Sequence, residues 1–100
     1  MAEYTVPPGH IAMHAKTLAV NTQDIVTFAG VDLPEVEVLT NGLDDIYVRI
    51  GQGDATIGGT DCFRILAAMG STVLPVKTSG DTVVKLISAA AVTYSVGRTN

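Results

Sequence analysis

Two histidines, a single cysteine and a glycine-rich loop are the residues whose types and spacing could do chemistry in this chain. His10 and His14 stand at the i, i+4 interval that aligns two imidazoles on one helical face for zinc. They come after Pro7, Pro8 and Gly9, which disfavour a helix, and no glutamate lies between them to act as a base. Cys62 has no second cysteine, which excludes an intrachain disulfide and a multi-cysteine zinc site. It sits in Thr60-Asp61-Cys62-Phe63-Arg64, which reads as the start of a strand and makes it a buried, inert thiol. The run Gly51-Gln52-Gly53-Asp54-Ala55-Thr56-Ile57-Gly58-Gly59 suggests a phosphate cradle, but Thr60-Asp61 stands where a P-loop needs Lys-Ser/Thr. The segment after the loop reads as strand, whereas a dinucleotide fingerprint needs a helix there, so the glycines are expected to reverse the chain between strands. Asp44, Asp45, Asp54 and Asp61 flank this loop. Calcium wants roughly six to eight oxygens; the spacing matches no known calcium loop, and aspartate is common in turns. The expectation is a chain with no catalytic residues, no metal and no cofactor.

The elements that position these residues read as short strands. Thr17-Leu18-Ala19-Val20 alternates and stops at Asn21-Thr22; Asp24-Ile25-Val26-Thr27-Phe28 comes next and ends at Gly30. Glu35-Val36-Glu37-Val38-Leu39 puts both valines on one face and both glutamates on the other, closing at Asn41-Gly42. In Asp45-Ile46-Tyr47-Val48-Arg49-Ile50 the aliphatic residues face inward and Tyr47 and Arg49 outward. Cys62-Phe63-Arg64-Ile65-Leu66 offers Phe63 and Ile65 to the core, and Met69-Gly70-Ser71 turns the chain. Pro75 demotes Thr72-Val73-Leu74-Pro75-Val76 to an edge or a bulge. Ser79-Gly80-Asp81 turns again, before Thr82 to Ile87 and Ala91 to Val96, where Tyr94 alternates into the core with Val92 and Val96. About eight strands at spacings of about ten residues mark an all-β domain, a small antiparallel sandwich or barrel. Helix has almost no support; its best candidate, Phe63 to Met69, lacks caps and reads as strand and turn.

Composition bounds the function. One hundred residues are one domain's worth of chain, with 47% hydrophobic and only 16% charged residues. Six basic residues against ten acidic ones give a formal charge of −4, and the basic residues do not cluster. That argues against nucleic acid and against an anionic membrane as partner. No signal peptide and no membrane-spanning apolar run is visible, so a cytoplasmic origin is expected. Few charges and much apolar surface suit a domain partly covered by a partner. Small sandwiches also bind sugars on exposed aromatics, and here Tyr47 beside Arg49 is the one plausible contact.

Residues 1–14 differ from the rest. Paired prolines push Val6 and Pro7 into extended geometry, yet Tyr4, Val6, Ile11 and Met13 are costly to leave in water. Such a segment packs along its own domain or reaches as an extended arm to a neighbour's sheet edge. The arm reading makes Tyr4, Val6, Pro7, Pro8, Ile11 and Met13 the expected subunit- or capsid-binding residues, with residues 15–100 as the sandwich.

Across residues 34–97 the strand order and turn phrasing resemble small structural proteins of tailed bacteriophages, closest to capsid decoration (head-stabilising) proteins. The resemblance is carried by Asp45 to Ile50, the loop Gly53 to Gly59, Val73-Leu74-Pro75-Val76, Val83 to Ser88, and Tyr94-Ser95-Val96. It implies a non-enzymatic virion protein on the capsid surface that bridges major capsid subunits and stabilises the shell. It also implies homo-oligomers around local symmetry axes, with an extended N-terminal segment at the capsid contact. The alternatives are another phage head–tail or tail component, and a carbohydrate-binding sandwich module.

Overall fold

Period-two alternation decides which side chains face inward along most of the chain, and the computed structural model sorts the strands into two sheets. It describes residues 1–30, 35–40, 44–67, 70–76 and 80–98. In chain order the strands are β1 (Glu3–Val6), β2 (Ala12–Thr17), β3 (Asp24–Phe28), β4 (Glu35–Thr40), β5 (Ile46–Ile50), β6 (Phe63–Ile65), β7 (Ser71–Pro75), β8 (Thr82–Ser88) and β9 (Thr93–Arg98). The first sheet has the order β1-β3-β8-β5-β6 and the second β2-β9-β4-β7. All pairings are antiparallel except β1 with β3, which is parallel. No α-helix occurs among the described residues. The turns expected at Asn41-Gly42 and through Met69 and Ser79 fall on positions outside those residues.

The core lies between the sheets. The first sheet contributes Val6, Val26, Phe28, Ile46, Val48, Ile65, Val84 and Leu86; the second contributes Val36, Val38, Leu74, Tyr94 and Val96. β8 shows why the sequence folds this way: Thr82, Val84, Leu86 and Ser88 are buried while Val83, Lys85 and Ile87 stay half-exposed. β4 buries Val36 and Val38 and turns Glu35 and Glu37 out, as their alternation requires.

Three expectations change. The alternation at 17–20 is not a strand: β2 precedes it, Leu18 is buried just beyond the strand end, and Val20 is exposed in a turn. β2 itself carries no alternation, because a bulge between Met13 and Lys16 interrupts its register and puts Ala15 at φ 53°. Phe63 shares the inward parity of Ile65 but is 43% exposed, because β6 is an edge strand with no neighbour beyond it. Of residues 1–14, expected as an extended arm, 3–6 and 12–14 are strand residues of the two sheets. β1 pairs with β3 along four residues, β2 pairs with β9, and β2 runs across the expected boundary at residue 14.

Three of the four edge strands, β6, β2 and β7, carry features that hinder further pairing. β6 is three residues long, β2 is bulged, and β7 ends on Pro75. Thr40 donates to the Gly70 carbonyl at 2.7 Å, so alternate β7 residues Thr72 and Leu74 face β4 and Ser71, Val73 and Pro75 face the free edge. Proline therefore removes a donor on the open side, where it weakens strand addition without costing a bond inside the sheet.

A buried polar contact joins the sheets. The Tyr94 hydroxyl of β9 donates to the Asp24 carboxylate of β3 at 2.9 Å, and the second Asp24 oxygen accepts the Ala2 amide at 3.3 Å. Tyr94 is 1% and Asp24 2% exposed. Burial, and then the bond to Asp24, hold the Tyr94 hydroxyl protonated well above the ordinary tyrosine range. Because the folded-state affinity for that proton is raised, the stability it contributes is complete below about pH 10 and is lost as pH climbs above that. Replacing Tyr94 with phenylalanine leaves a buried carboxylate oxygen without its donor. The expected cost is about 1–3 kcal/mol in denaturant unfolding at neutral pH, together with a flatter loss of stability in alkali.

Candidate functional site

The residues expected to bind a partner are split by the fold. Val6 is 1% exposed and belongs to the core, while Tyr4 and Met13 are half-buried against it. Tyr4 also carries the Lys16 ammonium 4.8 Å above its ring. Pro7, Pro8 and Ile11 remain on the surface. They form the corner where the chain passes from the first sheet to the second. His10 donates its amide to the Pro7 carbonyl at 3.1 Å and Gly9 sits at φ +87°, which is a turn with proline at its second position and glycine at its third. Those residue types are the ones a type II turn selects: proline presets the first central φ, and glycine accepts the positive second one.

The corner is braced on both sides. Arg98 of β9 donates its amide to the Ile11 carbonyl at 2.9 Å, and its guanidinium reaches the His10 carbonyl at 3.5 Å. Ala29 donates to the Val6 carbonyl at 3.1 Å. Ile11 is thereby held in place with 68% of its surface in water.

A second built feature is the loop from Gly51 to Cys62, which folds back over the first sheet. Gln23 holds it at the middle, accepting the Ala55 amide at 2.6 Å and donating to Asp54 at 3.3 Å. Lys85 donates to the Gly53 carbonyl at 2.5 Å, and Arg49 pairs with Asp61 at 3.5 Å. A Cβ at Gly53 would lie 2.5 Å from the centre of the Arg49 guanidinium, so only glycine lets that group lie beneath the loop. The loop reverses the chain between β5 and β6, as its glycines lead one to expect, and presents Ile57 to solvent.

Beside Ile57 lies a cavity of about 220 Å³ lined by Asp44, Asp45, Tyr47, Ile57 and Ala89. Asp45 accepts from Arg64 Nε at 2.7 Å and from the Ala67 amide at 3.2 Å. The Arg64 bond, then the Ala67 amide, hold its carboxyl below the usual carboxylate range. Asp44 is exposed and makes no hydrogen bond or ion pair among the described residues. A larger concavity of about 470 Å³ crosses the outer face of the second sheet, lined by Ala15, Leu39, Ser71, Thr93 and Ser95 among others, with no charged side chain among the described residues.

The remaining chemical candidates are dispersed. His10 is exposed at the corner turn, His14 is exposed on β2, and Cys62 is half-buried at the end of the loop. Of the four loop aspartates, Asp45 and Asp61 are tied to arginines and Asp54 to Gln23. Among the described residues no group of three His, Cys, Asp or Glu side chains converges.

Alternation places Tyr47 on the outer face, but Ile57, Ala89 and the turn at the corner were not anticipated. The signals were present as an isolated isoleucine within a Thr/Gly loop, and as Pro8-Gly9 in the central positions of a turn. Comparison with protein-family models and with curated proteins finds no match to this chain.

The brace under the loop makes a direct prediction. Gly53→Ala forces the Arg49 guanidinium out and places a Cβ at φ +91°. The expected cost is about 1–3 kcal/mol in thermal or denaturant unfolding, with faster hydrogen exchange at the Ala55 amide than at β8.

Proposed function

We propose that this chain is a non-enzymatic structural protein of a bacteriophage virion that attaches to the outside of the capsid and stabilises the shell by bridging major capsid subunits. The observation that carries the reading is the braced corner at Pro7–Ile11. An isoleucine held in water by bonds from both sheets is a preorganised anchor, and preorganisation lowers the entropy lost on docking. The resemblance over residues 34–97 supplies the identity of the surface. The hindered edges at β2, β6 and β7 favour docking through side chains over addition of a strand there. Many copies, each burying a modest area, hold a lattice strongly because attachment sums over sites.

The corner takes over the role expected of a free arm, and its contact residues are Pro7, Pro8 and Ile11. The test is co-sedimentation with purified shells that lack the protein. Ile11→Asp changes a surface position, so its folding stability should stay within about 0.5 kcal/mol of the parent. Its binding should weaken at least about tenfold, the loss of roughly 1.4 kcal/mol at an anchor. Unchanged binding by the variant would remove the corner from the contact. Parent protein left in the supernatant would overturn the capsid reading itself.

A further inference from the structure

We propose that the cavity between Tyr47 and Ile57 is a receptor for a lysine or arginine side chain presented by a partner protein. The inference deepens the reading of the chain as a docking protein, and rests on it for the nature of the partner. At about 220 Å³ the cavity is smaller than the roughly 300–1,000 Å³ of sites that enclose a whole small-molecule ligand, so it suits one side chain. Its lining matches the two ends of a basic residue. Ile57 and Ala89 offer an apolar wall to a methylene stem, and Tyr47 offers an aromatic ring to the cationic head.

Charge decides which head group fits. Two carboxylates border the cavity, and Arg64 neutralises only one of them, leaving Asp44 unpaired among the described residues. The chain's other described cations are engaged elsewhere. Arg49 is on Asp61, Lys85 on the Gly53 carbonyl, Lys16 over the Tyr4 ring and Arg98 at the His10 carbonyl. Among the described residues no Lys or Arg side chain is left to complete this site, and a partner's basic side chain would do so. The Lys16–Tyr4 contact shows the same pairing of ammonium and tyrosine within this chain. The loop that carries Ile57 is fixed from beneath by Gln23, Lys85 and Arg49, so the wall stands before the partner arrives.

The test is an NMR titration of the full chain with the capped peptide acetyl-Gly-Lys-Gly-amide at low ionic strength. The control peptide carries norleucine in place of lysine, which keeps the stem and removes the charge. Saturable shifts at Tyr47, Ile57 and Ala89 are expected with the lysine peptide in the millimolar range, the weak affinity of a single contact worth about 4 kcal/mol. Asp44→Asn should weaken that binding about fivefold and leave the spectrum of the fold intact. The proposal is overturned if the lysine peptide gives no saturable shift at those residues, if norleucine gives the same shifts, or if Asp44→Asn binds lysine as well as the parent. No capsid enters the experiment, so its failure leaves the shell-binding reading standing. Failure of co-sedimentation likewise leaves the titration to be judged alone.

Discussion

The relative placement of the two sheets turns on a buried polar contact between Asp24 and Tyr94. Asp24 opens β3 with its carboxylate inside the sandwich, where it accepts the Tyr94 hydroxyl from the opposite sheet and the Ala2 amide just before β1. A carboxylate removed from water without donors costs several kcal/mol, so alternatives that separate these three groups are penalised heavily. An apolar core of valines tolerates sliding, because one valine packs about as well as the next. The hydroxyl–carboxylate bond does not, and it selects one registry of β9 against β3. The same carboxylate fixes where the chain begins to pair, because the Ala2 amide reaches it while the Ala2 carbonyl accepts the Ile25 amide at 2.9 Å.

That constraint determines the surface. With β1 held beside β3 and β2 beside β9, the segment between them must cross from one sheet to the other within Pro7–Ile11. A crossing that short needs a tight turn, and Pro8 and Gly9 supply its two central conformations. Ile11 is exposed because the crossing leaves it at the corner, with its backbone committed to Arg98 and its side chain outside both sheets. The loop over the outer face of the first sheet is a second rigid projection, held by side chains from β5 and β8 and by Gln23. Both projections display an isoleucine on a fixed backbone.

Much of the fold is legible in the sequence wherever burial is one-sided. β3 begins at Asp24 and ends at Phe28 as its alternation indicates, β4 and β5 keep the expected inward residues, and β8 lies on the run expected from Thr82. Pro75 marks an edge strand because a missing amide is harmless only on the free side. The signal fails where periodicity is interrupted or where a partner is distant. β2 holds a bulge, so its burial does not alternate and the period at 17–20 misleads. β1 is four residues long and pairs in parallel with a strand about twenty residues on, which no local turn announces. Asp24 and Tyr94 are 70 residues apart, and neither residue type alone reports the other. The site was less legible than the fold. Tyr47 could be placed on an outer face by alternation, but the return of Ile57 to its side depends on the Arg49 and Lys85 contacts under the loop.

Whether the N-terminal strand is a fixed part of the sandwich is the point on which the placement of the corner depends. Native-state hydrogen exchange tests it directly at the amides of Ile25 and Ala29, which donate to the carbonyls of Ala2 and Val6. If β1 is anchored through Asp24, both amides exchange with protection close to that of β8 in the centre of the first sheet. Exchange at these two positions at the rate of open loops, with β8 still protected, would mean that β1 detaches while the sandwich stays folded, and would contradict the account.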